Sequence, residues 1–359
     1  MPGGVGVGRI GLFVVALAAP SIAAAYDAGP LTIHGYSSFE YERQIEKAGE
    51  GAGDPNGSFD ADLFDLVLSG QVTPRTRVAA DVTWEHGAAT EDGRGNVAIE
   101  YGFVEYAIAD ALKLRAGKMF TPFGIYNEIH TAKPTFLTVK EAPSTNKPSR
   151  IVEDAMRFYP RWGAGVEALG NIPLGGVTLD YSVLVGNGDQ ENTNPFEEDD
   201  NEWKSTAARV RIGDDEHFEL GASFYYDRFA PGGTDESIMS GGAELKIQLG
   251  PSALWAEAMV ARLKDRAGGT RQQVGGYVQP SYRFDFGLTP YFRLDYIEPN
   301  TDVPDDWGVC FTAGLNFELD LGLFLKLEND YFRGGARSSL AAFPGHDYNE
   351  IKAAVVLGF

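Results

Sequence analysis

Apolar residues recur at every second position through most of this chain, and no long stretch repeats them at helical spacing. "TRVAADVTW" sets Val78, Ala80, Val82 and Trp84 against Arg77, Asp81 and Thr83. "GVTLDYSVLV" alternates Val177, Leu179, Tyr181, Val183 and Val185. "GVCFTAGLNFEL" does the same with Val309, Phe311, Ala313, Leu315, Phe317 and Leu319. Successive side chains of a strand point to opposite faces, so this period demands strands with one apolar and one wet face.

Sixteen such segments are legible, at 31–42, 61–72, 76–86, 97–108, 112–120, 161–170, 176–186, 204–212, 217–227, 238–249, 253–262, 272–284, 288–297, 307–319, 323–332 and 349–359. In the segment 97–108 the apolar set changes face midway. The connections alternate in length. Short turns such as 73–75, 109–111, 250–252 and 320–322 alternate with long polar loops at 43–60, 87–96, 121–160, 187–203, 228–237, 263–271, 298–306 and 333–348. A soluble sandwich has no reason to gather every long loop at one end. A membrane barrel does, and its first and last strands must pair because lipid tolerates no open strand edge. The expectation is an all-β, transmembrane antiparallel β-barrel of about sixteen strands. Aromatic residues fall near the segment ends, Trp84, Trp162, Tyr226, Tyr296, Trp307 and Tyr331 at one rim and Phe218, Phe284, Phe317 and Phe359 at the other. Two such girdles mark membrane interfaces.

The amino terminus reads "RIGLFVVALAAPSIAAAYDAG", one positive charge followed by an apolar run and small residues through Ala25. That is the anatomy of an export signal, and the run is too short to span ~30 Å of hydrocarbon. Residues 1–25 are therefore expected to be a signal peptide and 26–359 a single barrel domain. A mean hydropathy of -0.20 does not oppose this, because alternating strands average to neutral. The formal net charge of -21, from 51 acidic and 30 basic residues, excludes nucleic acid as an obvious partner. The single cysteine, Cys310, excludes an internal disulfide.

The export signal, the sixteen alternating segments, the loop asymmetry and the terminal Phe359 together resemble a Gram-negative outer-membrane porin. "RAGKMFTPFGIYNE" (115–128) is also similar to the Gly-x-x-x-x-Pro-Phe-Gly stretch of the phosphate-selective porin group, with Gly117, Pro122, Phe123 and Gly124 matching. The resemblance implies a trimer, a C-terminal aromatic read by the barrel assembly machinery, contact with outer-membrane lipid and lipopolysaccharide, and a long loop after the fifth strand that folds into the lumen. The residues themselves agree that the connection 121–160 is too long and too apolar to be a solvated loop. Phe136, Leu137, Val139, Ile151, Val152, Met156 and Phe158 need a surface to pack on, which the barrel wall or the neighbouring outer loops would provide.

The candidate pore residues follow. The loop carries Lys133, Lys140, Lys147 and Arg150 against Glu128, Glu141, Glu153 and Asp154, while the wet strand faces offer Arg77, Lys113, Arg115, Arg209 and Arg211. Opposed charges across a lumen sort solutes by charge and size, although the same residues would also serve as hydrated cross-strand pairs. The cluster Lys113, Arg115, Arg209 and Arg211 hints at an anion path, but the many acids on the same faces give no ground for phosphate specificity.

In "NPFEEDDNEW" the acids Glu197, Glu198, Asp199 and Asp200 are candidates at most for divalent cations bridging to lipopolysaccharide; a solvated loop tip accounts for them equally. No resident metal or cofactor is expected. The five histidines, His34, His86, His130, His217 and His346, come with no Gly-x-Ser-x-Gly elbow. The expected function is a passive diffusion channel for small hydrophilic solutes or ions in the bacterial outer membrane, not an enzyme. The alternatives are a surface receptor or adhesin, or a barrel hydrolase.

Overall fold

The computed structural model describes residues 26–27, 31–45, 56–85, 96–142, 144, 158–188, 196–199, 201–214, 216–228, 236–264, 268–339 and 347–359. The expected export signal, 1–25, lies outside the described residues. After a two-residue strand β1 (Tyr26–Asp27) come β2 (Leu31–Ile45), β3 (Ser58–Thr73), β4 (Thr76–Glu85), β5 (Asn96–Ala109), β6 (Leu112–Phe120), β7 (Trp162–Pro173), β8 (Thr178–Gly186) and β9 (Ser205–Gly213). The second half holds β10 (Phe218–Arg228), β11 (Ser237–Leu249), β12 (Ser252–Lys264), β13 (Thr270–Tyr282), β14 (Leu288–Glu298), β15 (Gly308–Asp320), β16 (Leu323–Gly334) and β17 (Tyr348–Gly358). Each of β2–β17 coincides with one of the sixteen alternating segments to within a few residues.

Every strand from β2 onward pairs antiparallel with the next in sequence. β17 then returns to β2, with Val355 opposite Phe39 and Ala353 opposite Tyr41, and closes the cylinder. At the seam Phe359 and Gly35 exchange both backbone hydrogen bonds, at 3.0 and 2.8 Å. The Phe359 ring lies over Gly35, where any Cβ would strike it, and 5.9 Å from the ring of Phe64. The tight turns hold Gly175, Gly250, Gly287 and Gly322 at positive φ, a conformation open to glycine at little cost.

Polarity is inverted relative to a protein that folds in water. Val104, Val183, Leu220, Phe292, Leu315 and Val355 point outward and are 40–51 % exposed, while Asp65, Asp295, Thr312 and Lys326 point inward and are fully buried. An apolar exterior of this extent needs hydrocarbon as its solvent, and strands of nine residues or more are long enough to cross it at a tilt. The chain is thus a sixteen-stranded transmembrane antiparallel barrel.

Two sequence readings change in detail. The change of face inside 97–108 is a β-bulge: Asp81 pairs with Tyr101 and Val82 with Ile99, so Glu100 is the extra residue. Val97 and Ile99 face outward before the bulge and Val104, Tyr106 and Ile108 after it, while Glu100 is turned into the lumen. The aromatic rims are less segregated than expected. Trp84 lies 5.7 Å from Phe64, which also meets Phe359, so Trp84 and Phe359 belong to one patch. Trp162 turns inward and donates its indole N–H to Glu100 at 3.0 Å.

Candidate functional site

The loop after β6, the fifth strand of the barrel, enters the lumen through a neck closed by its own backbone. Thr121 N–H donates to the Arg161 carbonyl at 2.9 Å, and the Asn127 amide donates to the carbonyls of Thr121 (2.7 Å) and Arg161 (3.0 Å). The Pro122–Phe123–Gly124 stretch makes the turn inward. Phe123 is fully buried and stacks on Tyr159 at 4.3 Å. Gly124 has φ +65°, and a Cβ there would strike the Glu257 carboxylate. The turn lets Gly124 N–H donate to Ser223 Oγ at 3.1 Å and Ile125 N–H to Glu257 Oε1 at 2.5 Å.

From there the loop crosses the barrel interior and bonds to strand after strand. Tyr126, Phe136 and Ala142 form an apolar cluster with Tyr277 of β13, and Val139 packs against Phe324, Ala354 and Val356 of β16 and β17. Val139 N–H donates to Glu328 at 3.0 Å, Asn316 donates to the Leu137 carbonyl at 3.1 Å, and Ser144 Oγ donates to Asp295 at 2.6 Å. Lys326, fully buried on β16, donates to three loop carbonyls: Lys133 (2.6 Å), Phe136 (2.6 Å) and Thr138 (3.0 Å). Its ammonium also lies 4.7 Å from the centre of the Phe136 ring.

The named pore residues divide as follows. Lys133 is paired with Glu40 and Asp62 and ties the loop to β2 and β3, while Lys140 is paired with Glu42 and ties it to β2. Glu128 pairs with Arg209 at 2.8 Å, and Arg209 also holds Glu244 at 2.7 Å. Glu141 pairs with Arg161 at 3.1 Å. Arg115 lies between Glu105 (2.7 Å) and Glu167 (2.9 Å), 4.2 Å from the Phe103 ring that Arg77 also approaches at 5.8 Å. Arg211 lies 3.5 Å from Glu219 and 3.8 Å from Asp180. Lys113, opposite Leu169 and Ala107, sits near the short-turn end, away from the loop's crossing point. Lys147, Arg150, Glu153 and Asp154 lie outside the described residues. In the acidic loop Asp199 is paired with Lys204, Glu197 and Glu198 are described beside it, and Asp200 is outside the described residues. Among the described residues no group of three or more His, Cys, Asp or Glu is placed to hold a metal.

Two features of the site were not read from sequence. One is Lys326 as the loop's central clasp. The other is His130, whose Nδ1 faces the Asn127 carbonyl at 2.8 Å and whose Nε2 faces the Glu100 carboxylate at 3.1 Å. A carbonyl only accepts, so Nδ1 carries a proton, and a second proton must lie between Nε2 and Glu100 for that bond to exist. The bulge in β5 is what delivers Glu100 to this position. The face change within 97–108 was the available signal.

Charge on the loop is held by its partners. Partial loss of water inside the lumen acts to raise the part-exposed Glu128, but Arg209 and Arg211 outweigh it and keep the carboxyl below its usual range. Burial acts to lower Lys133, but Glu40 and Asp62 outweigh it and keep the ammonium above the usual lysine range.

No protein-family model matches the chain. An uncharacterized protein of Aquifex aeolicus (strain VF5) is 29 % identical over 111 residues, which cover 30 % of this chain and only 24 % of that protein. Among solved structures the chain is similar to an anion-selective porin from Comamonas acidovorans (TM-score 0.65, 11 % identity, 92 % of this chain and 99 % of that one). It is similar to the outer membrane channel DcaP of Acinetobacter baumannii (TM-score 0.59, 12 % identity, 92 % and 97 % covered). It is also similar to OmpT, an outer membrane protein of Vibrio cholerae, in a trimer form (TM-score 0.58, 11 % identity, 93 % and 100 % covered). At these identities the likeness is one of fold. The local likeness to the phosphate-selective group gains no support from a family model.

Two outcomes test this description of the loop. Lys326→Met leaves three buried carbonyls without a donor, and hydrogen bonds to charged groups contribute ~1.5–3 kcal/mol each. Amide protection factors over 133–138 are expected to fall tenfold or more while those of the strands hold; unchanged loop protection would contradict the clasp. The pH dependence has a defined sign. The depressed Glu128 contributes above its unfolded value, and its contribution is lost as pH falls through the lower folded one. The raised Lys133 contributes below the ordinary lysine value, and its contribution is lost only above it. Loop protection is therefore expected to decline on acidification below the carboxylate range and to hold at mildly alkaline pH.

Proposed function

We propose that the protein is a porin of the bacterial outer membrane, a passive channel for small hydrophilic solutes or ions with no enzymatic role. The observation that carries this reading is the loop itself. A barrel that only anchored surface loops has no need of a segment that crosses its interior and is bonded from within by at least eight strands. The passage is assigned to the space between Glu128 and the wall of β6–β8. There the side chains of Arg115, Asp180 and Glu128 keep 20, 28 and 38 % exposure, against 4 % for Arg209 and 1 % for Arg293. Each of Arg115, Arg209 and Arg211 faces two carboxylates, so the arginines do not form an open anion ladder, and no phosphate preference is inferred. Cations pass in modest preference to anions.

The apolar exterior meets outer-membrane lipid, with lipopolysaccharide around the long loops. Phe359, presented at the seam, is the element offered to the barrel assembly machinery, and residues 1–25 serve export. A homotrimer is supported by the trimer form of the Vibrio cholerae neighbour. His130 and His217 are committed to local contacts, His130 with Glu100 and His217 with Asp214 at 3.2 Å. His86 and His346 lie outside the described residues.

The test is current through protein refolded into planar bilayers under a salt gradient. Steady ohmic openings with a reversal potential on the cation side are expected, and Glu128→Gln should move that potential toward zero. Absence of any conductance would overturn the channel, and a reversal potential of opposite sign would overturn the assigned selectivity.

A further inference from the structure

Most of the buried lumenal carboxylates have a cation, and Glu257 accepts the Ile125 N–H instead. Glu40 has Lys133, Glu105 and Glu167 have Arg115, Glu244 has Arg209, Asp295 has Arg293, and Asp330 has Lys352. Asp65 on β3 and Asp81 on β4 are different. They are 0 and 1 % exposed, and among the described residues no ion pair reaches either of them. Among the described residues, neither carboxylate oxygen of Asp65 nor Oδ1 of Asp81 is held in a hydrogen bond of good geometry, and the fully buried Thr83 hydroxyl, beside Asp65, is not either.

The register gathers these four oxygens on one patch of the wall. Asp65 lies directly opposite Thr83, and Asp81 opposite Val67, so the two carboxylates are diagonal neighbours on the lumenal face. Diagonal pairs of this kind have Cα atoms ~7–8 Å apart, within reach of side chains that turn toward one another. The Thr131 hydroxyl, from the lumen loop, lies beside both carboxylates, and Thr83 lies beside Asp65. The neighbouring acid Glu100 is already taken by His130 and Trp162. Tyr36 and Tyr101 stand opposite Asp65 and Asp81 on the flanking strands.

Two desolvated carboxylates with no counter-charge are costly, and unpaired oxygens in the same cage add to the cost. A ligand that removes both costs carries about two positive charges and accepts oxygen donors alone. We propose that Asp65, Asp81 and Thr83, with Thr131 from the loop, form a binding site for a hard divalent cation. Calcium fits best. It takes six to eight oxygens in flexible geometry, whereas magnesium holds its waters and demands a near-ideal octahedron. Because one donor comes from the loop and the others from β3 and β4, the bound cation ties the loop to the wall across the β17–β2 seam from Lys326. The site does not depend on the channel reading, since any function of the barrel leaves these oxygens where they are.

The experiment uses chelator-treated, refolded full-length barrel in detergent. Calcium titration by calorimetry should give saturable uptake of about one ion per chain, and terbium should show luminescence sensitised by Tyr36 and Tyr101. Asp65→Asn with Asp81→Asn should abolish both signals. Glu197→Gln with Glu198→Gln, in the external acidic loop, should leave them unchanged. If the double asparagine variant does not refold, Thr83→Val keeps both charges and should weaken binding about tenfold. Absence of saturable uptake by the unmodified barrel, as expected if the two aspartates simply share a proton, overturns the proposal. So does uptake that survives the asparagine pair, the valine variant unaltered, or uptake that is lost with Glu197 and Glu198.

Discussion

The apolar exterior is the constraint from which the remaining features follow. Hydrocarbon leaves no place outside for a charged side chain, since Arg or Lys at the midplane of a barrel costs ~2–4 kcal/mol. The chain therefore turns its ionisable strand residues inward. Once there, they are crowded and largely removed from water, and each must find a partner. The pairs Arg115 with Glu105 and Glu167, Arg209 with Glu244 and Glu128, and Lys352 with Asp330 are the wall's answer. An exposed ion pair contributes little, ~0–1 kcal/mol, but breaking a buried one leaves an uncompensated charge. The lumen is thus rigid in its charge pattern even though its contents are polar.

The inward loop uses the same chemistry from the other side. Its backbone carbonyls and amides would be orphaned inside the barrel without donors and acceptors from the wall. Lys326, Asn316, Glu328 and Glu257 supply them, and the loop's own Lys133, Lys140 and Glu128 complete pairs that the wall leaves open. Apolar loop residues found the second surface they needed in Tyr277, Phe324, Ala354 and Val356. Near the loop ends of the strands, inward Tyr225, Ile238, Ile297, Cys310, Phe332 and Tyr348 form an apolar layer with Phe123, Phe158 and Tyr159. Simple alternation does not anticipate that layer, because it assigns the inner face to polar groups throughout.

What the sequence disclosed and what it withheld divide along sequence distance. Strands, turns and the long-short alternation are local signals, so all sixteen segments were legible, and so was the fault in the segment around Glu100. The fault's meaning was not, because it depends on the register of β4 against β5 and on His130 arriving from a separate loop. Nothing local singles out Lys326 from other wet-face residues, since its three acceptors lie 188 to 193 residues earlier in the chain. Arg115, Arg209 and Arg211 were visible as a basic cluster, but the carboxylates that occupy them come from other strands and from the loop. Trp162 departs from the rim for the opposite reason: its place at a strand end is local, but the direction of its side chain is set by Glu100 on the neighbouring bulge.

The central claim is that successive residues of each strand alternate between lipid and a polar interior. Nitroxide scanning along β16 tests it most directly, with Cys310 first replaced and the labels placed one at a time at Leu325, Lys326, Leu327 and Glu328 in barrels reconstituted into vesicles. Collision with oxygen, which concentrates in hydrocarbon, should be high at Leu325 and Leu327 and low at Lys326 and Glu328. A flat profile, or maxima at the charged positions, would contradict the account.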